Sequence, residues 1–436
     1  MRQAGRPSQD LDAKAHAVLA ANDRGGYTVP NGKVYPFQWN WDAAFVALAF
    51  AGFDQARAWQ ELEMLFLGQW DDGMVPSIVF HKPAENYYPG PAAWGTQHTP
   101  PTTGITQPPL AATAANVLLQ AEGGLAQAQE RARALFPKLL SCHRWWHETR
   151  DPDASGLVTI VHPWETGRDN SPDWDEPLAK VEARVDVAAL RKDKSHVNAA
   201  ERPTDDFYNR VMTLVEDAKA LGWQGEGVAR QSSFRVCDIG IQSILLRADR
   251  DLLAMARHFD LTGEAARIAG WIERSLRAFP RLRHRDGTYR SLDHRTGNLA
   301  PAATSAGFLP LYARAASAAE AGVLAGHLRD WAGAAPFLVA STDPHAEAFD
   351  PARYWRGPTW LPINRIIADG FAAYGDAATA RRIRQDSRRL VEGAGLWEYY
   401  HPVTGAGLGG NEFSWTAAMW LSWTGNDGAQ DVLSSV

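Results

Sequence analysis

Apolar residues recur every three to four positions along most of the chain, which is the spacing that places them on one face of a helix. Ala, Leu, Arg and Glu fill the long segments, whereas the alternating runs typical of strands are short and few. The pattern predicts about a dozen helices, most of them antiparallel neighbours. The predicted helices are residues 9–22, 41–51, 55–67, 107–119, 125–147, 205–221, 233–259, 263–279, 305–315, 318–331, 360–374, 377–393 and 412–423.

The connections between these helices are of two kinds. Some are short turns, whereas 67–106, 147–204, 279–305, 331–358 and 393–411 are long and rich in Pro, Gly and aromatic residues. A closed ring of helical hairpins produces this alternation, with short turns at one end and elaborated loops at the other. Because long structured loops in compact domains usually carry function, the loop end is the expected functional face.

The length of the chain, 436 residues, exceeds the ~250–300 at which single cores usually divide. No linker or low-complexity tract offers a place to divide it, however, so we predict one domain over residues 1–436. Within it, residues 180–206 are charged and poorly periodic. This stretch is interpreted as an inserted lid over the loop face, with an ordinary surface insertion as the alternative.

Composition excludes several classes of protein. Lys and Arg total 44 against 50 Asp and Glu, and no basic stripe suited to nucleic acid occurs. The first fifteen residues lack the apolar segment of a secretory signal, and the longest apolar run, 43–53, is shorter than the ~20 residues of a membrane span. The two cysteines make no disulfide framework. A cytoplasmic protein with no nucleic-acid or membrane partner is expected.

Two patterns that resemble metal and cofactor motifs are rejected. His143 and His147 share a helix face, but no third ligand stands near them in the sequence. Gly405, Gly407 and Gly410 match G-x-G-x-x-G, yet no strand precedes them. The sequence therefore predicts neither a metal site nor a dinucleotide site.

Eighteen tryptophans are the most unusual feature of the composition. Several lie in the long connections, in segments 35–42 and 354–360, beside a carboxylate or a cation. Flat amphipathic rings stack on the face of a sugar, and neighbouring polar groups bind its hydroxyls. Taken singly, such segments are also typical of core packing.

Candidate catalytic carboxyls occur in two places. Asp169 lies between Trp164 and Trp174, in apolar surroundings that keep a carboxyl protonated, although Arg168 opposes this if it faces the same way. Glu412 opens the last predicted helix, whose dipole favours a charged carboxylate and therefore a base.

An acid and a base of this kind suit inverting glycoside hydrolysis, in which the acid protonates the leaving oxygen and the base activates water. Glu398 and Glu165 remain open as alternative bases. A sugar-binding protein without catalysis is the rival from another class.

Five ordered motifs resemble glycoside hydrolase family 63, and within it the bacterial members that act on mannosylglycerate or glucosylglycerate. They are residues 38–42, 104–109, 169–175, 354–358 and 412–416. The resemblance implies an all-α fold, an (α/α)6 barrel, and inversion at an α-glycosidic bond without metal or organic cofactor. It also implies that Asp169 is the general acid and Glu412 the general base.

The resemblance further implies how a glycerate group is held. Arg202 and Tyr208 belong to the segment that covers the pocket, and Tyr88, Gln107 and Tyr354 line the same end. An arginine offers charge-assisted donors to a carboxylate, although a structural ion pair is the alternative for Arg202.

The hypothesis is therefore hydrolysis of glucosylglycerate or mannosylglycerate to hexose and glycerate by a monomer or homo-oligomer, and the small carbohydrate is the expected partner. A neutral α-glucosidase acting on kojibiose- or trehalose-type disaccharides is the alternative. Arg168 and Asp173 depart from the family pattern and leave the exact substrate open. The remaining residues expected around the substrate are Tyr35, Trp39, Trp41, Asp42, Trp174, Trp355, Arg356, Gly357 and Trp360.

Overall fold

The computed structural model describes residues 7–121, 126–193 and 197–425. Its helices are α1 Pro7–Asn22, α2 Asn40–Phe50, α3 Gln55–Leu65, α4 Pro91–Trp94, α5 Ala111–Ala121, α6 Ala126–Thr149, α7 Asp175–Ala179, α8 Asp205–Ala220, α9 Gly225–Gln231, α10 Ile239–His258, α11 Thr262–Ala278, α12 Leu309–Tyr312, α13 Ala318–Ala334, α14 Leu361–Ala373, α15 Ala377–Ala394 and α16 Ser414–Met419. The strands are β1 Gln38–Trp39, β2 Ile78–Val79, β3 Val236–Cys237, β4 Leu292–Asp293, β5 Trp397–Tyr400 and β6 Gly407–Asn411. They form three antiparallel pairs, β1–β2, β3–β4 and β5–β6.

Six helices form a closed inner ring. Helix α2 packs on α5, α5 on α10, α10 on α12, α12 on α14, and α14 on α16, which returns to α2. Every residue of α2 is buried. A helix enclosed on all sides has no polar face, which is why this segment is almost wholly apolar.

A second layer of helices surrounds the ring. Helices α3, α6, α11, α15 and α1 pack on α2, α5, α10, α14 and α16, and Trp331 of α13 packs against Phe308 just before α12 at 5.2 Å between ring centroids. In α15 the buried positions include Ile383, Leu390 and Val391, at the spacing of one helical face. The predicted all-α (α/α)6 barrel is confirmed.

The first and last helices of the described chain, α1 and α16, pack against each other. Asn22, the last residue of α1, donates from Nδ2 to Ser414 Oγ at 2.9 Å, and Trp420 donates from Nε1 to Asp12 Oδ1 at 2.7 Å. These contacts tie the first outer helix to the last inner helix. Ring closure is therefore a contact between residues nearly 400 positions apart in sequence.

Several helices begin later than predicted. Helix α10 begins at Ile239 instead of 233, because Val236–Cys237 pairs with β4 and Asp238 then caps the helix by accepting from the Ile241 amide. Helix α16 begins at Ser414 instead of 412. The predicted start of α6 at residue 125 lies outside the described residues, as do 194–196 of the proposed lid.

One large cluster of buried apolar side chains extends from Ala15 in α1 to Trp423 beyond α16. It includes residues of both helical layers, as a single barrel core requires. None of the helices in the described ranges combines the length and apolar character needed to cross a membrane.

Candidate active site

A cavity opens among the long connections at one end of the barrel. Its walls are mostly aromatic and its charged groups are mostly carboxyls. The lining residues are Pro30, Val34, Tyr35, Trp39, Trp41, Asp42, Ser77, Ile78, Asn86, Tyr87, Tyr88, Pro89, Trp94, Gln107, Trp164, Gly167, Asp169, Lys192, Asp193, Arg202, Tyr208, Tyr354, Glu398, Phe413 and Trp415.

Most of the residues expected around a substrate line this cavity. Those brought together are Tyr35, Trp39, Trp41, Asp42, Tyr88, Gln107, Asp169, Arg202, Tyr208 and Tyr354. Those expected at the site but absent from its lining are Trp174, Trp355, Arg356, Gly357, Trp360 and Glu412.

Trp355 and Trp360, expected around the sugar, lie one layer behind the cavity wall. The two indoles stack on each other, with ring centroids 3.8 Å apart and planes 3° from parallel, and each is 1% exposed. Trp355 lies behind Trp41 at 6.0 Å between centroids, and Trp360 lies behind Tyr354 at 5.2 Å. They support the residues that form the wall.

Trp174, Arg356 and Gly357 also lie outside the cavity. The Trp174 indole is buried and donates to the Arg168 carbonyl at 2.9 Å. Arg356 binds both oxygens of Asp175, each at 2.8 Å. A Cβ on Gly357 would lie 2.3 Å from a backbone carbonyl oxygen, so glycine is required there for packing.

Glu412, expected to be the base beside Asp169, is absent from the lining of the cavity that contains Asp169. Its side chain is exposed, and its φ of 55° places it in a left-handed turn between β6 and α16. Because α16 begins at Ser414, Glu412 stands outside the first turn of the helix, and the dipole argument does not apply to it.

Glu398 takes the place in the cavity that was expected for Glu412. It lies in β5, is 1% exposed, and accepts hydrogen bonds from Tyr35 Oη to Oε1 at 3.0 Å and from the Gly410 amide to Oε2 at 3.1 Å. Burial raises the pKa of Glu398, while Arg202 and these two donors counteract the rise. Each of its two oxygens thus accepts one hydrogen bond from the protein.

Glu165, the other alternative base, is structural. It is fully buried and absent from the cavity lining. Arg150 donates to both of its oxygens, at 2.5 and 2.8 Å, and the Val161 amide donates at 2.8 Å. A carboxylate with these partners is committed to an ion pair.

Asp169 lines the same cavity as Glu398. Burial raises its pKa to about 7, the charge of Glu398 adds to the rise, and Arg202 opposes it. The neighbouring Arg168 points away into the protein, where it binds Asp173 at 2.9 Å and Asp238 at 2.5 Å. The loop turns at Gly167, whose φ is 68° and where a Cβ would meet the Trp41 ring at 2.3 Å.

Arg202 is 4% exposed and spans one side of the cavity. Its Nη1 donates to Tyr35 Oη at 3.0 Å, its Nε donates to Asp193 Oδ2 at 3.2 Å, and its Cζ lies 4.2 Å from the centroid of the Tyr354 ring. Asp193 also accepts from Tyr208 Oη at 3.3 Å. Arg202 is thus both a cavity cation and a partner in an internal ion pair.

The sequence reasoning missed several lining residues. Tyr87, beside the predicted Tyr88, packs edge-on against Trp39 at 5.4 Å between centroids. Asp193 lies within the charged stretch already assigned to the loop face, and Trp164 was treated only as a neighbour of Asp169. The dense aromatic and Pro content of 87–89 was the available signal for Tyr87.

His143 and His147 bind a carboxylate. Asp249 accepts from His143 Nδ1 at 2.7 Å and from His147 Nε2 at 2.9 Å, and the three side chains are buried. Across the part of the chain that the structure describes, no group of three or more His, Cys, Asp or Glu side chains is arranged to hold a metal.

A helical toroid with an aromatic cavity containing a protonatable Asp and a hydrogen-bonded Glu defines a glycoside hydrolase of the (α/α)6 class. The family model for the mannosylglycerate hydrolase MGH1-like glycoside hydrolase domain matches residues 35–416, and the chain belongs to that family.

The chain is similar in sequence to named relatives along nearly its whole length. It is 46% identical to mannosylglycerate hydrolase MGH1 of Selaginella moellendorffii over 95% of this chain and 86% of that protein. It is 46% identical to mannosylglycerate hydrolase of Thermus thermophilus over 94% of this chain and all of that protein. The crystal structure of a family 63 mannosylglycerate hydrolase from Thermus thermophilus with Tris and D-glycerate superimposes with a TM-score of 0.91 at 46% identity, covering 94% of this chain and 99% of that one.

Proposed function

We propose that the protein hydrolyses mannosylglycerate to mannose and glycerate with inversion at the anomeric carbon. The observation that carries the proposal is that Asp169, with a pKa near 7, and Glu398, hydrogen-bonded through both oxygens, line one cavity with the buried cation Arg202. The names and the bound glycerate of similar proteins support the choice of substrate.

In the proposed reaction, the Asp169 carboxyl donates its proton to the glycosidic oxygen as the bond to the anomeric carbon breaks. Glu398 accepts a proton from the water that attacks the opposite face of the sugar. The glycerate carboxylate binds the guanidinium of Arg202, and the aromatic walls, which include Trp39 and Trp41, contact the hexose. The two carboxyls thereby exchange protonation states over one turnover.

A substrate panel tests the proposal. Mannosylglycerate, glucosylglycerate, trehalose and kojibiose are supplied to the purified protein, and hexose release is measured. We expect mannosylglycerate to have the highest kcat/KM. Preference for a neutral disaccharide contradicts the assignment, and binding without hydrolysis identifies a sugar-binding protein. Proton NMR of the first product should show the β-anomer, and the α-anomer appearing first would exclude inversion.

Arg202→Met tests the recognition of glycerate. Truncating one partner of a buried charged hydrogen bond weakens binding by about 2–5 kcal/mol. We therefore expect kcat/KM for mannosylglycerate to fall about 100-fold further than kcat/KM for a neutral mannoside. The neutral mannoside serves as the internal control, since Arg202 also contacts Tyr35 in the cavity. Equal losses on both substrates assign Arg202 a structural role.

The assignment of the base is tested with two matched variants, Glu398→Gln and Glu412→Gln. Each replaces a carboxylate with an amide of the same shape. Glu398→Gln should lower kcat by about 1,000-fold or more, because the base is lost. Glu412→Gln, at an exposed position outside the cavity, should keep activity within about twofold. The reverse pattern would restore Glu412 as the base.

A further inference from the structure

The segment 197–206 reaches the strand pair that carries Glu398. Glu201 is half-buried, and its Oε2 accepts a hydrogen bond from the Gly409 amide at 3.0 Å. The next amide, that of Gly410, donates to Glu398 Oε2 at 3.1 Å. Two successive amides of one backbone segment therefore bind two carboxylates, of which one is the proposed base.

A β-bulge makes these two amides available. In the β5–β6 pairing, Gly409 and Gly410 stand opposite the single residue Glu398. Gly409 has a φ of 71°, and a Cβ there would lie 2.5 Å from Glu398 Oε2. The shape of the bulge and the position of the Glu398 carboxylate are consequently linked.

The residue after Glu201 acts on the other oxygen of Glu398. Arg202 Nη1 donates to Tyr35 Oη at 3.0 Å, and Tyr35 Oη donates to Glu398 Oε1 at 3.0 Å. Arg202 therefore binds the residue that holds one oxygen of Glu398, and Glu201 binds the residue next to the one that holds the other oxygen. The segment is therefore connected to both carboxylate oxygens of the proposed base.

We propose that Glu201 is a positioning residue for the base: by binding the Gly409 amide it fixes the bulge from which Gly410 holds Glu398. This inference rests on the proposed role of Glu398. A group that only orients the base contributes to the chemical step more than to substrate binding, so its removal is expected in kcat and not in KM.

Glu201→Ala and Glu201→Gln separate the hydrogen bond from the charge. Alanine removes the acceptor and should lower kcat for mannosylglycerate by about tenfold, the loss expected for one charge-assisted hydrogen bond, with KM changed less than about twofold. Glutamine keeps an acceptor oxygen for the Gly409 amide, so kcat should stay within about twofold of the parent enzyme. Glu182→Ala, which removes an exposed carboxylate from the same connection, is the matched control.

The pH profile reports the charge of Glu201 separately from its hydrogen bond to Gly409. The Glu201 charge raises the pKa of Glu398, so both Glu201 variants should shift the acid limb of kcat/KM to lower pH, and Glu182→Ala should not. The other groups that face the base are unchanged in these variants. They are Arg202, Tyr35, Tyr354, Tyr399, Asp42 and Asp169.

The outcomes distinguish this inference from the proposed function. If Glu398→Gln is inactive while Glu201→Ala keeps the parent kcat, the positioning role is excluded and the base assignment stands. A loss confined to KM places Glu201 at the substrate end of the cavity and also excludes the role. Full activity of Glu398→Gln overturns both proposals. Should Glu201→Ala fail to fold, Glu201→Met removes the same acceptor with a side chain of similar size, and an unchanged kcat in that variant excludes the role.

Discussion

At the scale of single residues, the proposed chemistry depends on two carboxyls placed in different surroundings. Glu398 accepts two hydrogen bonds, from Tyr35 and from the Gly410 amide, which favour its charged form. Asp169 has a backbone contact only from its own amide to oppose burial, together with the charge of Arg202. Burial raises the pKa of both carboxyls, and the donors to Glu398 counteract the rise there, which favours the proposed assignment of Asp169 as the acid.

This arrangement predicts the pH dependence of activity. The acid must be protonated to act, so kcat/KM should fall as the pH rises through about 7, the pKa of Asp169. Arg202 lowers that pKa, so Arg202→Met should move the alkaline limb to higher pH. Asp169→Asn should remove most turnover at every pH. If the variant stays active and its kcat/KM still falls at the same alkaline pH, another group is responsible for that fall.

The cavity contains the acid expected from the sequence, Asp169, but not the expected base, Glu412. Asp169 could be found because its apolar neighbours are adjacent in the chain, which is where sequence reasoning is strongest. The expectation for Glu412 rests on the family resemblance and on a predicted helix that begins at residue 412. The actual start at Ser414 and the left-handed turn at Glu412 are set by packing against α1, through Asn22, far away in sequence.

At the scale of structural elements, the loop that carries Asp169, residues 163–174, is joined by an ion pair to an inner helix. Arg168, which is 3% exposed, binds Asp173 within the loop and Asp238 at the start of α10. Asp238 in turn caps α10 by accepting from the Ile241 amide at 2.7 Å. The arginine that precedes the acid thus connects the loop to the barrel, and its charge is compensated by these two carboxylates.

Removing this connection should destabilise the protein. Arg168→Met leaves two buried carboxylates without their cation, so the free energy of unfolding should fall by about 3 kcal/mol. Arg184→Met, which breaks the exposed pair of Arg184 with Asp217, should change it by less than about 1 kcal/mol. Urea unfolding monitored by circular dichroism measures both values. Equal, small effects would show that the Arg168 network contributes no net stability.

The aromatic segments show the limit of prediction at this scale. Trp39 and Trp41 line the cavity, whereas Trp355 and Trp360 stack on each other one layer behind it. The two pairs look alike in sequence, since both combine tryptophans with polar neighbours in a long connection. Which layer a ring occupies depends on the angle at which each connection meets the barrel, and local sequence carries no signal for that angle.

At the scale of the whole molecule, the number and order of helices could be predicted because each has its own apolar periodicity. The closed ring follows from contacts that no local pattern contains. Helix α1 packs on α16, and Asn22 binds Ser414 Oγ and the Glu412 carbonyl oxygen. The functional cavity depends on this closure, because Tyr35 from the first connection contacts Glu398 from the last.

A ring closed in this way should unfold as one unit, as the single domain proposed for residues 1–436 requires. Calorimetry should show one transition whose van't Hoff and calorimetric enthalpies agree, because opening the ring at any hairpin exposes core shared with both neighbours. Asn22→Ala removes the hydrogen bonds to Ser414 and Glu412, which should lower the free energy of unfolding by about 1–3 kcal/mol. The Tm of the single transition should fall, and the transition should not split. Two resolved transitions in either protein would instead show that part of the barrel folds independently of its closure.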